Sequence, residues 1–150
     1  MLKFGFRSEK VKSISMKIVD YWHAEENEEK FYDDIFIKIL STKYDIKYSD
    51  KPDFLLYGPF GYRHMDFDNC VKIFFTGENV RTDWNVADYA LDFDLMDFGD
   101  RHLCLPLYML YTIDFVRALE KHSNEHGKSE YTTSISFIII LYWSWVMPRD

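Results

Sequence analysis

The sequence has little positive charge and little cysteine, and each shortage excludes a class of protein. Its 18 Lys and Arg residues are outnumbered by 25 Asp and Glu, which gives a formal net charge of −7. Phosphate backbones need clustered cations, so no nucleic acid partner is expected. No polybasic run is present to attract an anionic membrane surface. The two cysteines, Cys70 and Cys104, lie inside apolar runs, where free buried thiols are expected rather than a disulfide framework.

Long apolar runs are also scarce. The strongest run, ISFIIILYWSWVM at residues 135–147, falls short of the roughly 20 residues that a membrane helix needs. The first residues, MLKFGFRSEK, contain no apolar segment of the kind found in a secretory signal. We therefore expect a bacterial-type protein that is cytoplasmic or peripherally associated with a membrane.

Apolar and aromatic residues are abundant. Hydrophobic residues make up 47% of the 150 residues and aromatic residues 19%, so a packed core of the size of one domain is expected. Most of the aromatic rings belong to that core by this reading. Flat rings are also the usual material of sugar-binding surfaces, because they cover the C–H face of a pyranose.

The hydrophobic pattern predicts an α/β fold. Residues 27–42 have helical spacing behind a candidate N-cap, Asn27. A weaker helical pattern covers residues 107–121. Short β-branched and aromatic runs predict strands at residues 16–22, 44–49, 53–58, 71–75, 87–94 and 101–108. This order indicates a Rossmann-like, mostly parallel sheet with flanking helices, in which several crossovers are loops or short helices.

Ligands of open parallel sheets bind beyond the carboxyl ends of the strands. Three predicted loops lie there, at residues 22–26, 58–64 and 76–85, and the third contains Glu78 directly after an apolar strand and a Thr-Gly pair. The residues alone leave Glu78 open as a solvated loop position, a helix start or a catalytic carboxylate. A response-regulator-like domain, with Asp20, Glu25 and Glu26 as its acidic cluster, is a further alternative, although that class needs regular strand–helix alternation.

The segment KIFFTGENVRTDWNVADYALDFDLMDFGDRHLCLPLY, residues 72–108, resembles the acceptor-side domain of the α-1,3/4-fucosyltransferases. In that family a TGEN segment follows an apolar strand, and D-Y-A, F-D, F-x-D-R-x-L and L-P-L-Y segments come next in this order. MKIVDYWHAEE and DFLLYGPFG are similar to the family's first strand and to its Gly-Pro-containing loop. The resemblance covers residues 16–125.

The resemblance implies one half of a two-domain glycosyltransferase of the GT-B type. In that family the N-terminal Rossmann-like domain holds the acceptor sugar, and the C-terminal domain holds GDP-fucose. Fucose is transferred with inversion to an N-acetylglucosamine hydroxyl, in α-1,3 linkage, on lactosamine-type glycans. The acceptor domain itself is expected to bind no cofactor, and GDP-fucose is the donor substrate of the complete enzyme.

By the family's motif, Glu78 is the general base that takes the proton of the acceptor hydroxyl. The resemblance also makes Trp22 a candidate for stacking on an acceptor sugar ring. His23, Glu25 and Asn79 are candidates for hydrogen bonds to its hydroxyl groups.

Five further residues are expected to have structural roles. Asn85 and the pair Asp100-Arg101 are expected to hold loops together rather than to contact substrate. His102 and Cys104 lie two apart without a second pair of ligands, so no metal site is predicted.

The chain departs from the family after the resemblance ends. We expect residues 1–125 to form the acceptor domain and residues 126–150 to be an atypical apolar tail, truncated or frameshifted, with the donor domain absent. Such a chain would be inactive alone, would need a separately encoded donor domain, and would self-associate through exposed apolar surface. The alternative is a non-catalytic glycan-binding module or an inactive remnant of the same fold.

Overall fold

Six parallel strands form one sheet in the computed structural model, which describes residues 12–22 and 27–107. The strands lie side by side in the order β2-β1-β3-β4-β5-β6. The Rossmann-like α/β prediction is therefore confirmed. The strands are β1 (Ser13–Val19), β2 (Asp45–Tyr48), β3 (Phe54–Tyr57), β4 (Val71–Phe75), β5 (Tyr89–Asp92) and β6 (His102–Cys104).

Most crossovers are short, as the pattern predicts. Only the β1–β2 connection carries α-helices among the described residues, namely α1 (Glu28–Asp33) and α2 (Ile35–Leu40). A 3-10 turn, Arg63–Asp66, lies between β3 and β4, and another, Gly99–Arg101, lies between β5 and β6. The loops that leave the strands are consequently held close to the edge of the sheet.

The prediction of one continuous helix over residues 27–42 is wrong. The helix breaks at Asp34, whose ψ of 143° is extended, and a second helix starts there. The Asp34 carboxylate accepts hydrogen bonds from the backbone N–H groups of Phe36 at 2.9 Å and Ile37 at 3.4 Å. A short acidic side chain competes in this way for backbone donors and favours a cap over a helix interior. Asn27 is the N-cap of α1, as predicted, since its Oδ1 accepts from the Lys30 N–H at 2.9 Å.

The predicted strand ends shift by a few residues, with β4 matching its predicted range. β6 ends at Cys104 instead of residue 108, and β1 ends at Val19 instead of Trp22. At the end of β1, Asp20 adopts a left-handed φ of 54°, which no strand continues through. β6 lies at the sheet edge, as the position of Pro106 predicts. The structure describes no residue after residue 107. The predicted helix at residues 107–121, apart from its first residue, and the predicted tail at residues 126–150 therefore lie outside the described residues.

Apolar side chains cover both faces of the sheet because strand residues alternate between them. One face packs on α1 and α2 through Met16, Ile18, Leu56, Ile73 and Phe75 together with the helix residues Phe31 and Phe36. The other face carries a smaller cluster of Val19, Leu55, Tyr57, Phe74 and Ala90, against which Phe67, Trp84 and Val86 pack. Within residues 12–22 and 27–107, loops rather than helices therefore cover this second face.

The structure bears on two expectations about the chain, which concern its cysteines and membrane-spanning helices. Cys70 and Cys104 are free thiols, but both are partly exposed rather than buried. Burial still raises the pKa of the Cys70 thiol. Within residues 12–22 and 27–107, no helix has the length and apolar character needed to cross a membrane.

Candidate active site

The carboxyl ends of the strands lie at one edge of the sheet because all six strands are parallel. β1 connects to β2 on one side, while the chain returns to β3 on the other side of β1. The strand order therefore reverses between β1 and β3, and ligands of open α/β sheets bind at this position.

The loops that follow β1, β3 and β4 meet at this edge, as the sequence indicates. The ring of Trp22, after β1, has its centroid 6.1 Å from the ring of Phe60, after β3. The same indole lies 5.9 Å from Phe75, the last residue of β4. Trp22 keeps 40% of its surface exposed, so one part of the ring is anchored and another part is available to a ligand.

Asp20 holds the β3 loop to the end of β1. Its side chain is 2% exposed. Oδ1 accepts a hydrogen bond from the Arg63 N–H at 3.0 Å, and Oδ2 accepts one from the His64 N–H at 2.8 Å. His64 Nδ1 also lies 2.6 Å from Oδ2. Asp20 is thus a buried structural anchor, which contradicts its place in an acidic phosphoacceptor cluster.

Two glycines make this contact possible. A Cβ atom on Gly61 would lie 2.3 Å from Asp20 Oδ1, and one on Gly58 would lie 2.5 Å from the Asp20 carbonyl oxygen. Both distances are far below van der Waals contact. Gly58 and Gly61 are therefore required by close approach of the backbone to Asp20.

His64 also stacks on Tyr57, with ring centroids 4.3 Å apart and an interplanar angle of 21°. Burial, with the nearby carboxylates of Asp83 and Asp88, raises the pKa of Tyr57. The phenol therefore stays neutral at physiological pH. The loop after β3 is fixed by hydrogen bonds on one side and by ring stacking on the other.

Glu78 lies at the carboxyl end of β4 on a tight turn. Its backbone N–H donates to Thr76 Oγ1 at 2.9 Å, and its carbonyl accepts from the Val80 N–H at 2.7 Å. Thr76 is buried and donates its own N–H to the Leu91 carbonyl at 3.2 Å. A Cβ on Gly77 would lie 2.7 Å from a Leu107 methyl group, so the turn is packed against the fold.

The Glu78 side chain is exposed, and no other described residue forms a hydrogen bond or ion pair with its carboxylate. Asn79 is exposed beside it. A fixed backbone under a carboxylate that faces solvent is what a general base needs before its substrate binds. Of the other predicted site residues, Trp22 lies at the same edge, whereas His23 and Glu25 are outside the described residues.

A second buried carboxylate, that of Asp92, holds the segment after Glu78 in place through hydrogen bonds. Thr82 Oγ1 donates to Asp92 Oδ2 at 2.6 Å, and His102 Nε2 lies 2.7 Å from Asp92 Oδ1. His102 Nδ1 faces the Met96 carbonyl oxygen at 3.2 Å. Both ring nitrogens of His102 thus have protein partners. Among the described residues, no group of three or more His, Cys, Asp or Glu side chains is placed to hold a metal ion.

Two of the predicted loop-holding residues, Asn85 and Arg101, do hold loops. Asn85 donates its backbone N–H and its side-chain amide to Asp83 Oδ1, at 3.0 and 2.9 Å. Arg101 donates to the carbonyl oxygens of Asp88 and Ala87, at 2.7 and 2.8 Å. Its guanidinium also lies over the rings of Trp84 and Phe98.

Local sequence patterns do not identify the residues that anchor this edge. They indicate no role for His64, Thr82 or Asp92, and the acidic cluster that they suggest for Asp20 is wrong. The Gly58–Gly61 spacing was the one available signal, because two glycines in a short loop indicate that something approaches closely. The partner of that loop is 38 or more residues away, so the sequence could not name it.

Comparison with known proteins places this arrangement in a family. Residues 16–111 match the family described as alpha-(1,3)-fucosyltransferase FucT N-terminal domain. The chain belongs to this family. The fucosyltransferase resemblance of the sequence is therefore confirmed.

Relatives agree with the fucosyltransferase assignment. The alpha-(1,3)-fucosyltransferase FucT of Helicobacter pylori is 34% identical over 101 residues, which are 63% of this chain and 21% of that protein. A solved alpha1,3-fucosyltransferase structure matches with a TM-score of 0.57 at 30% identity, over 73% of this chain and 33% of that one. Another, with GDP-fucose, matches with a TM-score of 0.52 at 28% identity, over 70% and 30%. The chain thus spans well under half of each relative's length.

Proposed function

We propose that this chain is the acceptor-binding half of an inverting fucosyltransferase. The complete enzyme transfers L-fucose from GDP-fucose to an N-acetylglucosamine hydroxyl, in α-1,3 linkage, on lactosamine-type glycans. The observation that supports the proposal most strongly is the position of Glu78. Its carboxylate is exposed on a fixed turn at the carboxyl edge of the sheet, in a fold of the fucosyltransferase family.

The chemistry assigned to Glu78 is general base catalysis. Its carboxylate accepts the proton of the acceptor hydroxyl while that oxygen forms a bond to C1 of fucose. The bond between C1 and the diphosphate oxygen breaks on the opposite face, and GDP leaves with the electron pair. Attack opposite the leaving group converts the β-linked nucleotide sugar into an α-linked product.

The acceptor is bound by side chains around Glu78. The exposed part of the Trp22 ring covers the apolar face of a sugar, and its contacts with Phe60 and Phe75 hold it in one orientation. Asn79, next to the base, supplies an amide for a sugar hydroxyl. His23 and Glu25 complete this set in our proposal, from the segment that follows Trp22.

GDP-fucose is assigned to the donor domain of the complete enzyme. This acceptor half needs no cofactor of its own, and by itself it has a base but no electrophile. We therefore expect no transfer by the chain alone. A donor domain of the family, whether joined to this chain or supplied separately, completes the site.

The test is a fucosyl-transfer assay with GDP-fucose and N-acetyllactosamine. The full chain is measured alone and joined to the donor domain of a family member, and the product linkage is determined by NMR. We expect an α-1,3-fucosylated product from the joined protein only. Trp22→Ala should raise KM about tenfold, as the loss of an aromatic contact does, and should leave kcat nearly unchanged.

The matched control for Trp22→Ala is Tyr32→Ala, which removes a ring of equal exposure, 40%, from α1. No transfer by the joined protein, with glycan binding intact, would overturn the proposal in favour of a non-catalytic glycan-binding module. Loss of both transfer and binding would leave an inactive remnant.

A further inference from the structure

A cavity of about 390 Å³ opens between the loop after β3 and the segment after Glu78. Its volume lies in the range of about 300–1,000 Å³ that is typical of small-ligand pockets. A larger cavity, of about 660 Å³, lies at the opposite edge, where Ser13, Phe54 and Val71 begin their strands. Ligands of open parallel sheets bind at the carboxyl edge, so the smaller cavity is the better candidate.

The lining of this cavity combines an aromatic surface with donors and acceptors. Tyr62 is 85% exposed and Val80 46% exposed, which offers apolar surface at its mouth. His64, Arg81 and Asp83 add polar groups. Arg81 Nε lies 3.6 Å from the Asp94 carboxylate, which offsets its charge, and Asp83 adds a further carboxylate to the lining. An apolar surface with hydrogen-bonding groups and no excess of positive charge suits a neutral polyol such as a sugar ring better than an anion.

Both walls of the cavity are formed before any ligand arrives. Asp20 fixes His64 and its neighbour through backbone hydrogen bonds of 2.8 and 3.0 Å. On the other wall, the Asp83 carbonyl accepts the N–H groups of Val86 and Ala87 at 3.0 and 2.9 Å. A preformed site loses little conformational entropy on binding, which favours affinity for a small, polar ligand.

The cavity begins next to the proposed base. Val80, which lines it, follows Glu78 by two residues, a separation of at most about 7 Å along the chain. The hydrogen bond from the Val80 N–H to the Glu78 carbonyl, at 2.7 Å, keeps this turn tight. Neighbouring rings of an oligosaccharide are joined through one glycosidic oxygen. A glycan with its reacting hydroxyl at Glu78 can therefore place the adjacent ring in the cavity.

Trp22 lies on a different side of the edge. Its ring packs on Tyr21 and Phe75, which belong to the helix-covered face. The cavity instead lies against Tyr57 and Phe74, which belong to the loop-covered face. A glycan bound at this edge would therefore meet the two features with different parts of its structure.

We propose that this cavity is a saccharide subsite for the ring next to the reacting sugar of an oligosaccharide acceptor. The inference rests on the proposed function, since it places the reacting sugar at Glu78. It assigns specificity for a disaccharide over a monosaccharide to the Tyr62 and Val80 side of the edge. Trp22 serves the reacting sugar itself.

The test compares binding of N-acetyllactosamine and N-acetylglucosamine to the full chain by NMR titration of backbone amides. We expect the disaccharide to bind about tenfold more tightly, a typical effect of a well-packed aromatic contact. Its additional shift changes should fall in residues 61–65 and 80–86. Tyr62→Ala removes the aromatic surface, and Val80→Trp fills the cavity mouth. Each should abolish the tenfold advantage while leaving monosaccharide affinity unchanged.

The matched control is Leu95→Ala, which truncates an apolar side chain that is 96% exposed and lies outside the cavity lining. Retained monosaccharide binding shows that the variants are folded. Equal affinities for the two sugars, or a disaccharide advantage that survives both variants, would overturn the subsite and leave the proposed function standing. Absence of binding by either sugar to the wild-type chain would overturn both.

Discussion

Replacement of Asp20 by Asn tests how the carboxyl edge of the sheet is held together. Asn has nearly the shape of Asp and tolerates the left-handed φ of 54° at this position. The backbone is therefore not strained by the substitution. The change acts on hydrogen bonding and charge, in a side chain that is 2% exposed.

The cost follows from the donors around the carboxylate. Oδ1 accepts from the Arg63 N–H at 3.0 Å and Oδ2 accepts from the His64 N–H at 2.8 Å. An Asn amide has one oxygen, so in either orientation its NH₂ group faces one of these N–H donors. A partly buried donor then loses its acceptor, which costs about 1–3 kcal/mol in the free energy of unfolding.

The assay is urea unfolding of the chain, followed by tryptophan fluorescence, for wild type and Asp20→Asn. The control is Asp53→Asn, whose carboxylate has the Ser15 hydroxyl as partner at 2.5 Å. A hydroxyl can accept as well as donate, so this control should change the free energy of unfolding by less than about 0.5 kcal/mol. If Asp20→Asn is as mild as Asp53→Asn, the anchoring role of Asp20 is refuted.

Two further predictions concern capping and close approach. Burial raises the pKa of Asp34 to about 6, above its ordinary 3.8. The folded chain therefore binds this proton more tightly than the unfolded chain, and stability from this group is lost as pH rises through that interval. Asp34→Asn keeps the cap but has no carboxyl group to titrate. The decrease in the free energy of unfolding between pH 4 and pH 7, measured with urea, should therefore be smaller in this variant by up to about 3 kcal/mol. An unchanged decrease would contradict this. Gly61→Ala should cost about 2 kcal/mol, since its Cβ would lie 2.3 Å from a buried carboxylate oxygen, whereas Gly99→Ala has nothing within 4 Å and should cost only the roughly 1 kcal/mol of its positive φ. Equal losses in thermal unfolding would show that steric contact at Gly61 is unimportant.

Local patterns predicted most of the fold because each strand carries its own signal. β4 has its predicted bounds, Val71–Phe75, since a short run rich in β-branched and aromatic residues is too short for a helix and favours a strand. The helix break at Asp34 was missed because the apolar spacing continues through it. What ends the helix is a side chain that captures the N–H groups of the next turn.

The candidate site was predictable only in part. Glu78 could be named because the residues around it match a family motif. The anchors could not, because Asp20 and His64 are 44 residues apart, and Asp92 meets both Thr82 and His102 from different segments. Such contacts depend on strand order, and strand order is set by long-range packing rather than by local spacing.

The central claim is that Glu78 is the base of a fucosyl transfer. The most direct measurement is the turnover of Glu78→Gln relative to wild type, at saturating GDP-fucose and N-acetyllactosamine, in the full chain joined to a family donor domain. Glu29→Gln, an exposed substitution in α1, is the matched control and should retain full turnover. The account predicts a fall of about 10²-fold or more for Glu78→Gln, the range expected when a general base is lost, with acceptor binding preserved. Turnover of Glu78→Gln at the wild-type rate would contradict it.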